Sequence, residues 1–166
     1  MRRIVPLTLV LALATGVARA DFNDGVVALM MGNYDQALQT FVPLAETSDH
    51  AFAQYFLGRM YAAGQGVEKN AETAAEWYRK AAEKGVADAQ VRLGEMYENG
   101  EGVPADMEYA FGWYSVAAHL GNPKGNEGRE RATAGLSAAE RVEAEKLARE
   151  FIKQYGDIPR STARQQ

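Results

Sequence analysis

The densest group of chemically versatile side chains in this sequence is acidic. It consists of Glu95, Glu98, Glu101, Asp106 and Glu108. A pair of carboxylates flanking a sugar linkage is the machinery of glycoside hydrolysis. The spacing instead predicts the solvated face of one helix and the loop after it, with no cleft that would shift a pKa. We therefore expect a charged surface here and not a catalytic pair.

Two Gly-x-Gly motifs, Gly64-x-Gly66 and Gly100-x-Gly102, resemble phosphate-binding loops. Neither follows a predicted strand, and the sequence contains no Gly-Lys-Ser/Thr, which a nucleotide-binding loop of that kind requires. Glycine accepts the positive φ that a helix end and a sharp reversal need. The motifs therefore predict turns between helices.

The remaining candidates for chemistry are two histidines and a serine. His50 and His119 have no His or Cys at ligand spacing, and both fall near predicted helix ends, where surface positions are expected. Ser137 lies in Ser-x-x-Glu, a capping box, and no Ser-x-x-Lys, Lys-Thr-Gly or Gly-x-Ser-x-Gly motif is present. The sequence thus predicts no enzyme, no metal site and no cofactor.

An internal repeat defines the elements that must position these residues. Residues 51–85 match residues 87–121 at 17 of 35 positions after a shift of 36. Self-similarity at a period in the thirties is typical of an array built by stacking one supersecondary unit. Functional residues are then expected on the surface of the array and not in an enclosed pocket.

Each full repeat, at 50–85 and 86–121, predicts a helical hairpin. Apolar spacing predicts a first helix over about 50–63, and Asn70 is placed to cap the second helix. Asp106 takes the equivalent position in the next repeat. Bulky rings and paired alanines alternate along the second helices, which lets one hairpin pack on the next. The rings are those of Trp77, Tyr78, Trp113 and Tyr114.

The segments flanking the repeats predict related structure. Residues 21–47 are typical of a degenerate first hairpin, and Asn33 or Asp35 could be the N-cap of its second helix. Residues 122–157 predict a weak helix followed by a strong one, and the strong helix covers the end of the array. A polar tail at 158–166 is predicted to be disordered. The final helix is expected to bury an apolar stripe made of Leu136, Ala139, Val142, Leu147, Phe151, Ile152 and Tyr155.

The first 20 residues predict a secretory signal peptide. Arg2 and Arg3 precede an apolar run from Val5 to Val17, and cleavage is expected after Ala20. The run is shorter than the roughly 20 residues of a membrane-spanning helix, and the general secretory route is favoured over twin-arginine export. We therefore expect a periplasmic or secreted protein.

The net charge and the absence of cysteine limit the kinds of partner and of site that the protein can have. Removing the three arginines of residues 1–20 leaves 15 basic residues (18 − 3) against 22 acidic ones, a net charge of −7. That balance disfavours nucleic acid and anionic membranes as partners. The absence of cysteine excludes disulfides, thiolate metal sites and a lipid anchor on cysteine.

The full repeats resemble a known family. Leu57-Gly58-x-Met60-Tyr61-x-x-Gly64-x-Gly66-Val67, followed by Trp77-Tyr78-x-Lys80-Ala81-Ala82-Glu83-x-Gly85, closely resembles the Sel-1-like repeat, a branch of the tetratricopeptide-repeat superfamily. The second copy departs from it at Val116 and His119. The resemblance implies an all-α, right-handed superhelix of stacked helical hairpins. It also implies an adaptor role, without catalytic residues to carry over.

Candidate binding residues are those that differ between the copies on the first helix of each hairpin, which in such stacks lines the concave surface. Phe56 corresponds to Arg92, Arg59 to Glu95, and Ala63 to Asn99. An aromatic ring beside an arginine is a plausible peptide anchor. The alternative is that Phe52 and Phe56 pack against Phe41 and Leu44. The predicted partner-binding residues are Phe56, Arg59, Arg92, Glu95 and Asn99.

Two functions of different classes follow. The first is a non-catalytic interaction scaffold or regulator in the bacterial cell envelope that binds a peptide or partner protein through the concave face. The alternative is cell-wall glycan binding, or weak hydrolysis of envelope substrates. A third possibility is that the convex face binds within a larger assembly.

Overall fold

The computed structural model describes residues 21–157, and these form eight α-helices and no strand. The predicted signal peptide at 1–20 and the predicted tail at 158–166 lie outside the described residues. The helices are α1 Phe22–Met30, α2 Tyr34–Glu46, α3 Ala51–Ala63, α4 Ala71–Glu83, α5 Ala87–Asn99, α6 Met107–His119, α7 Pro123–Gly135 and α8 Ala138–Tyr155.

The helices stack as hairpins, in the all-α solenoid that the repeat predicts. Each helix from α1 to α6 packs on the next one along the chain, and α5 also contacts α7. The last helix, α8, packs chiefly on α6. Most contacts are therefore made between neighbours, as in other repeat arrays.

Helix boundaries follow local signals in the sequence. The side chains of Asn70, Asp106 and Ser137 accept hydrogen bonds from first-turn N–H groups of α4, α6 and α8, as predicted. Gly64 and Gly100 end α3 and α5 in the left-handed region, with φ of 70° and 68°. Each of the three side-chain N-caps, at Asn70, Asp106 and Ser137, contributes about 1 kcal/mol to the stability of its helix.

The other glycine of each loop permits a close approach as well as a positive φ. A Cβ on Gly66 would lie 2.6 Å from Cβ of Tyr34, at the start of α2. A Cβ on Gly102 would lie 2.2 Å from the carbonyl oxygen of Ala71, at the start of α4. Each loop thus packs against the preceding hairpin, and both Gly-x-Gly motifs are structural.

A buried glutamine repeats with the same period. Gln54 donates through Nε2 to the carbonyl oxygen of Ala45 at 3.2 Å, and Gln90 donates to that of Ala82 at 3.0 Å. Each bond joins the start of one hairpin to the end of the previous helix. These carbonyls lie in the last helical turn, where no intrahelical donor is available. That of Ala82 also accepts a hydrogen bond from the backbone N–H of Gly85 at 3.0 Å.

The two tryptophans occupy different environments. Trp113 is 3% exposed and lies 4.9 Å from Phe151 and 5.2 Å from Tyr155, measured between ring centroids. Trp77 is partly buried, with Nζ of Lys80 4.1 Å from the centre of its ring. The capping helix α8 accounts for the difference, because it covers the ring of Trp113.

The predicted apolar stripe of α8 is partly wrong. Val142 is 62% exposed and Ala139 is exposed, whereas Ala144 and Ala148 are buried against α6. Hydrophobicity alone favours valine for the core. Close packing instead selects the small residues four apart, because they let the helix axes approach.

Two further expectations concern the flanking helices. Residues 122–135 contain the predicted polar helix, α7, whose buried residues are Gly125, Gly128 and Ala132. Asn33 immediately precedes α2, but its side chain makes no capping hydrogen bond.

Candidate functional site

A cleft of about 520 Å³ opens where α3, α5 and α7 come together. Side chains from three successive hairpins surround it, because the first helices of the hairpins lie on one face of the stack. The lining residues are Arg59, Ala62, Ala63, Tyr78, Arg92, Glu95, Met96, Glu98, Asn99, Glu101 and Arg131.

Three charged residues of the cleft occupy one repeated position. Arg59 on α3, Glu95 on α5 and Arg131 on α7 are separated by 36 residues each. Their charges alternate along the stack. The repeat thus places one side chain from each hairpin on the same surface, and the sign of its charge changes from one hairpin to the next.

Hydrogen bonds within α5 orient two of the predicted residues. Arg92 donates through Nη1 to Glu95 Oε2 at 2.8 Å, and Asn99 donates through Nδ2 to the carbonyl oxygen of Glu95 at 2.9 Å. Arg92 and Glu95 are one helical turn apart and partly exposed. An exposed pair of this kind contributes at most about 1 kcal/mol to stability, and it leaves the charges accessible from the cleft.

A second charged group joins α5, α6 and α7. The hydroxyl of Tyr114 donates to Glu98 Oε2 at 2.5 Å, and Arg131 Nη2 donates to the same oxygen at 3.2 Å. Burial opposes ionisation of Glu98, but the hydrogen bonds from Arg131 and Tyr114 outweigh it and lower the pKa of Glu98. Burial, together with the nearby Glu98 carboxylate, raises the pKa of Tyr114. Glu98 is therefore a stable anion at neutral pH, which does not suit a general acid.

The structure brings four of the five predicted binding residues together and leaves out one. Arg59, Arg92, Glu95 and Asn99 line the cleft. Phe56 packs in the N-terminal core, with its ring stacked on that of Phe41 at 5.2 Å between centroids. The packing alternative thus describes Phe56 better than an anchor in the cleft does. A role in binding for all five stays a prediction.

Sequence reasoning missed several lining residues. The repeat pattern predicts Tyr78 only as a packing residue. Arg131 is found by extending the 36-residue shift one step beyond Glu95. The expectation that the acidic group faces no cleft is wrong for Glu95, Glu98 and Glu101. Arg131 lies 33 residues beyond Glu98 in the chain, and no local pattern indicates that pairing.

The two histidines make contacts within the fold. His50 caps α3 by accepting a hydrogen bond from the backbone N–H of Ala53 at Nδ1, 3.2 Å away, and its ring stacks on Phe22 at 4.8 Å. Burial lowers the pKa of His50. His119 Nε2 lies 3.7 Å from Asp157 Oδ1 near the end of α6. Within 21–157, no three acidic, His or Cys side chains gather as a metal site would require.

None of the helices within residues 21–157 has the length and apolar character needed to cross a bilayer.

The two full repeats match the model of a known protein family. The family model of the Sel1 repeat matches residues 51–86 and 87–122. No protein with a curated description matches the chain.

Two solved structures are similar to this one. One is a protective antigen of uropathogenic Escherichia coli strains described as displaying an SLR fold, with 33% identity and a TM-score of 0.76 over 86% of this chain. The other is a Sel1 repeat protein from Oxalobacter formigenes, with 33% identity and a TM-score of 0.64 over 83% of this chain. This chain spans only 31% and 59% of their respective lengths. Sel1 repeats generally form non-catalytic scaffolds for protein–protein interaction. The chain contains two Sel1 repeats, at residues 51–86 and 87–122, with the hairpin of α1 and α2 before them and α7 and α8 after them.

Proposed function

We propose that this protein is a non-catalytic scaffold or regulator that binds a peptide or partner protein in the cleft between α3, α5 and α7. One observation carries the proposal. The packing residues Gly58, Gly94, Tyr78 and Tyr114 recur in both repeats, whereas the repeated position in the cleft changes from Arg59 to Glu95. A surface whose residues differ on an unchanged scaffold suits recognition of one particular partner.

The chemistry of the cleft favours a polar, charged ligand. Arginine and glutamate side chains dominate the lining, and Ala62 and Ala63 leave space beside them. Mixed charges on a rigid surface favour register and specificity in a protein complex. An extended segment is the form of partner that a cleft of this size would accept.

Site-specific photo-crosslinking tests this proposal. A photoreactive residue at position 63, in the cleft, should capture a discrete partner in living cells. The same residue at position 145, on the exposed side of α8, should not. Introducing Arg59→Glu and Arg92→Glu should abolish capture at position 63, while the matched pair Arg149→Glu and Lys153→Glu on α8 should leave it intact. Equal capture from both positions would contradict binding in the cleft.

We further propose that the protein acts in the cell envelope after removal of residues 1–20. The pattern of charged, apolar and small residues before Asp21 supports export. The measurement is the intact mass of the protein recovered from a periplasmic extract. It should correspond to a chain that begins at Asp21. Recovery of the full-length chain from the cytoplasm alone would contradict export.

The alternative, glycan binding or weak hydrolysis in the envelope, has less support from the geometry. Sugar-binding grooves commonly expose aromatic faces, whereas Tyr78 is 4% exposed. Two carboxylates in the cleft, Glu95 and Glu98, are held by Arg92 and Arg131. Co-sedimentation of the pure protein with cell-wall sacculi, lost in Arg59→Glu, would favour the alternative over the scaffold.

A further inference from the structure

The two repeats place equivalent tyrosines in different polar surroundings. Tyr78 and Tyr114 are 36 residues apart, and each ring lies against a glycine of the preceding helix. A Cβ on Gly58 would lie 2.6 Å from the Tyr78 ring, and one on Gly94 would lie 2.7 Å from the Tyr114 ring. The rings are thus held in the same way, and their hydroxyl groups can be compared directly.

In the second repeat, the chain itself supplies a carboxylate to the hydroxyl. Glu98, 16 residues before Tyr114, accepts the hydrogen bond from it, and Arg131 supplies the balancing positive charge. A hydroxyl donor and a guanidinium that converge on one carboxylate form a strong, charge-assisted arrangement.

In the first repeat, the residue 16 positions before Tyr78 is Ala62. The methyl group of Ala62 cannot accept a hydrogen bond from the Tyr78 hydroxyl as the Glu98 carboxylate does from Tyr114, and both Tyr78 and Ala62 line the cleft. Burial raises the pKa of Tyr78, so the hydroxyl stays protonated and remains a donor at neutral pH.

Positive charge is present beside this tyrosine. Arg59 and Arg92 line the cleft together with Tyr78, and so does Glu95. Arg92 is paired with Glu95, but Arg59 has no carboxylate within 4.0 Å among residues 21–157. Its guanidinium instead lies 5.4 Å from the Phe56 ring centre and 5.9 Å from that of Tyr55. These rings orient the arginine without neutralising it.

We infer that the cleft binds the carboxylate of an aspartate or glutamate side chain from the partner segment, with the Tyr78 hydroxyl donating to it as that of Tyr114 donates to Glu98. The position equivalent to Arg131 holds Glu95, which is paired with Arg92, so Arg59 of the preceding hairpin supplies the positive charge. The inference rests on the proposed function and specifies its ligand. Glu101 also lines the cleft and has no ion pair among the described residues. A single acidic residue followed by a basic one therefore fits better than a run of acidic residues.

Titration with short peptides, followed by nuclear magnetic resonance, tests the inference. The probe is a five-residue peptide capped at both ends, with alanine around a central glutamate and lysine at the last position. It should shift the signals of Ala62, Tyr78 and Arg59. The glutamine counterpart should bind at least about tenfold more weakly, because an amide cannot form charge-assisted bonds with both donors.

Three variants distinguish this site from unspecific binding. Ala62→Glu should abolish binding, because the chain then supplies its own carboxylate as Glu98 does. Arg59→Gln should also abolish it, and Tyr78→Phe should weaken it while keeping the ring. The matched control Tyr114→Phe should bind the peptide as the natural chain does. A thermal melt of each variant establishes whether it is folded. If Ala62→Glu does not fold, Arg59→Gln tests the same site.

Several outcomes would overturn the inference. They are equal binding of the glutamate and glutamine peptides, undiminished binding by Ala62→Glu, and no binding at millimolar peptide. Binding of only an uncapped peptide, through its terminal carboxylate, would also overturn it. If crosslinking from position 63 captures a partner while the peptide fails, the scaffold function stands and this ligand assignment falls. If both fail, the scaffold function falls as well.

Discussion

Tyr114 joins three helices through a single side chain. Its ring lies against Gly94 of α5, and against Gly128 of α7, where a Cβ would approach the ring to 2.4 Å. Its hydroxyl reaches Glu98. The ring is fully buried, and glycine is required on both sides because any larger residue would occupy the same space. Glycines within these helices are therefore packing residues, despite the helix propensity that they sacrifice.

Gly94→Ala should destabilise the protein by about 1–3 kcal/mol, because the added methyl group would overlap the Tyr114 ring. In an exposed helix the same change would stabilise by about 1 kcal/mol. The control is Gly135→Ala, where the nearest atom is the flexible Cε of Met107 at 3.3 Å. Urea denaturation measures both changes. A Gly94→Ala protein as stable as the natural one would show that the tyrosine ring moves freely.

The Glu98 carboxylate should make stability depend on pH. Its pKa in the folded protein is lowered, so its stabilising effect is complete above the unfolded value of about 4.3 and is lost as the pH falls through the folded value. Glu98→Gln should therefore lose stability at neutral pH and show a smaller further loss under acid conditions. Denaturation at pH values from 7 to about 3 tests this, with Glu145→Gln on the exposed side of α8 as the control. An unchanged pH profile in Glu98→Gln would contradict the assignment.

At the scale of the helices, local signals predicted more than long-range contacts did. Asn70 and Asp106 could be recognised as caps because capping depends on residues three positions apart. The buried face of α8 was predicted incorrectly because it depends on which small residues meet α6. The pairing of Glu98 with Arg131 is not predicted for a related reason, since the two residues are 33 positions apart and belong to different hairpins. The cleft is lined from three hairpins, so it could not be predicted from one repeat alone.

Phe151 should be the main residue through which α8 seals the array. Its ring contacts Trp113, and a Cβ on Gly112 of α6 would approach it to 3.0 Å. Phe151→Ala should cost about 2–3 kcal/mol, because the ring is only partly buried. It should also shift the fluorescence of Trp113 to longer wavelength as water reaches the indole. Val142→Ala, on the exposed side of the same helix, should change neither stability nor fluorescence. Similar behaviour of the two variants would contradict this role of α8.

At the scale of the whole molecule, stability should be unevenly distributed. The helix α6 packs on α5, α7 and α8, whereas α1 at the other end packs mainly on α2. Phe22 of α1 reaches Phe41 and Phe56, and this aromatic group joins the first hairpin to the first full repeat. Because an array of repeats is held by contacts between neighbours, its ends can open while its centre stays folded.

Hydrogen exchange should therefore proceed from the N-terminal end. Amides of α1 and α2 should exchange before those of α6, and Phe41→Ala should accelerate exchange in α1, α2 and α3 while leaving α6 largely unchanged. The Phe41 ring is 0% exposed, and its loss should remove about 3–5 kcal/mol from the stability of this end.

Leu136→Ala is the matched variant at the other end of the array. Leu136 packs with Phe111 and Ala148, so this variant should accelerate exchange in α6 and α8 instead. Exchange that accelerates equally in all helices for both variants would mean that the molecule unfolds as one cooperative unit. The cleft lies between these two regions, so binding of a peptide across α3, α5 and α7 should slow exchange on both sides of it.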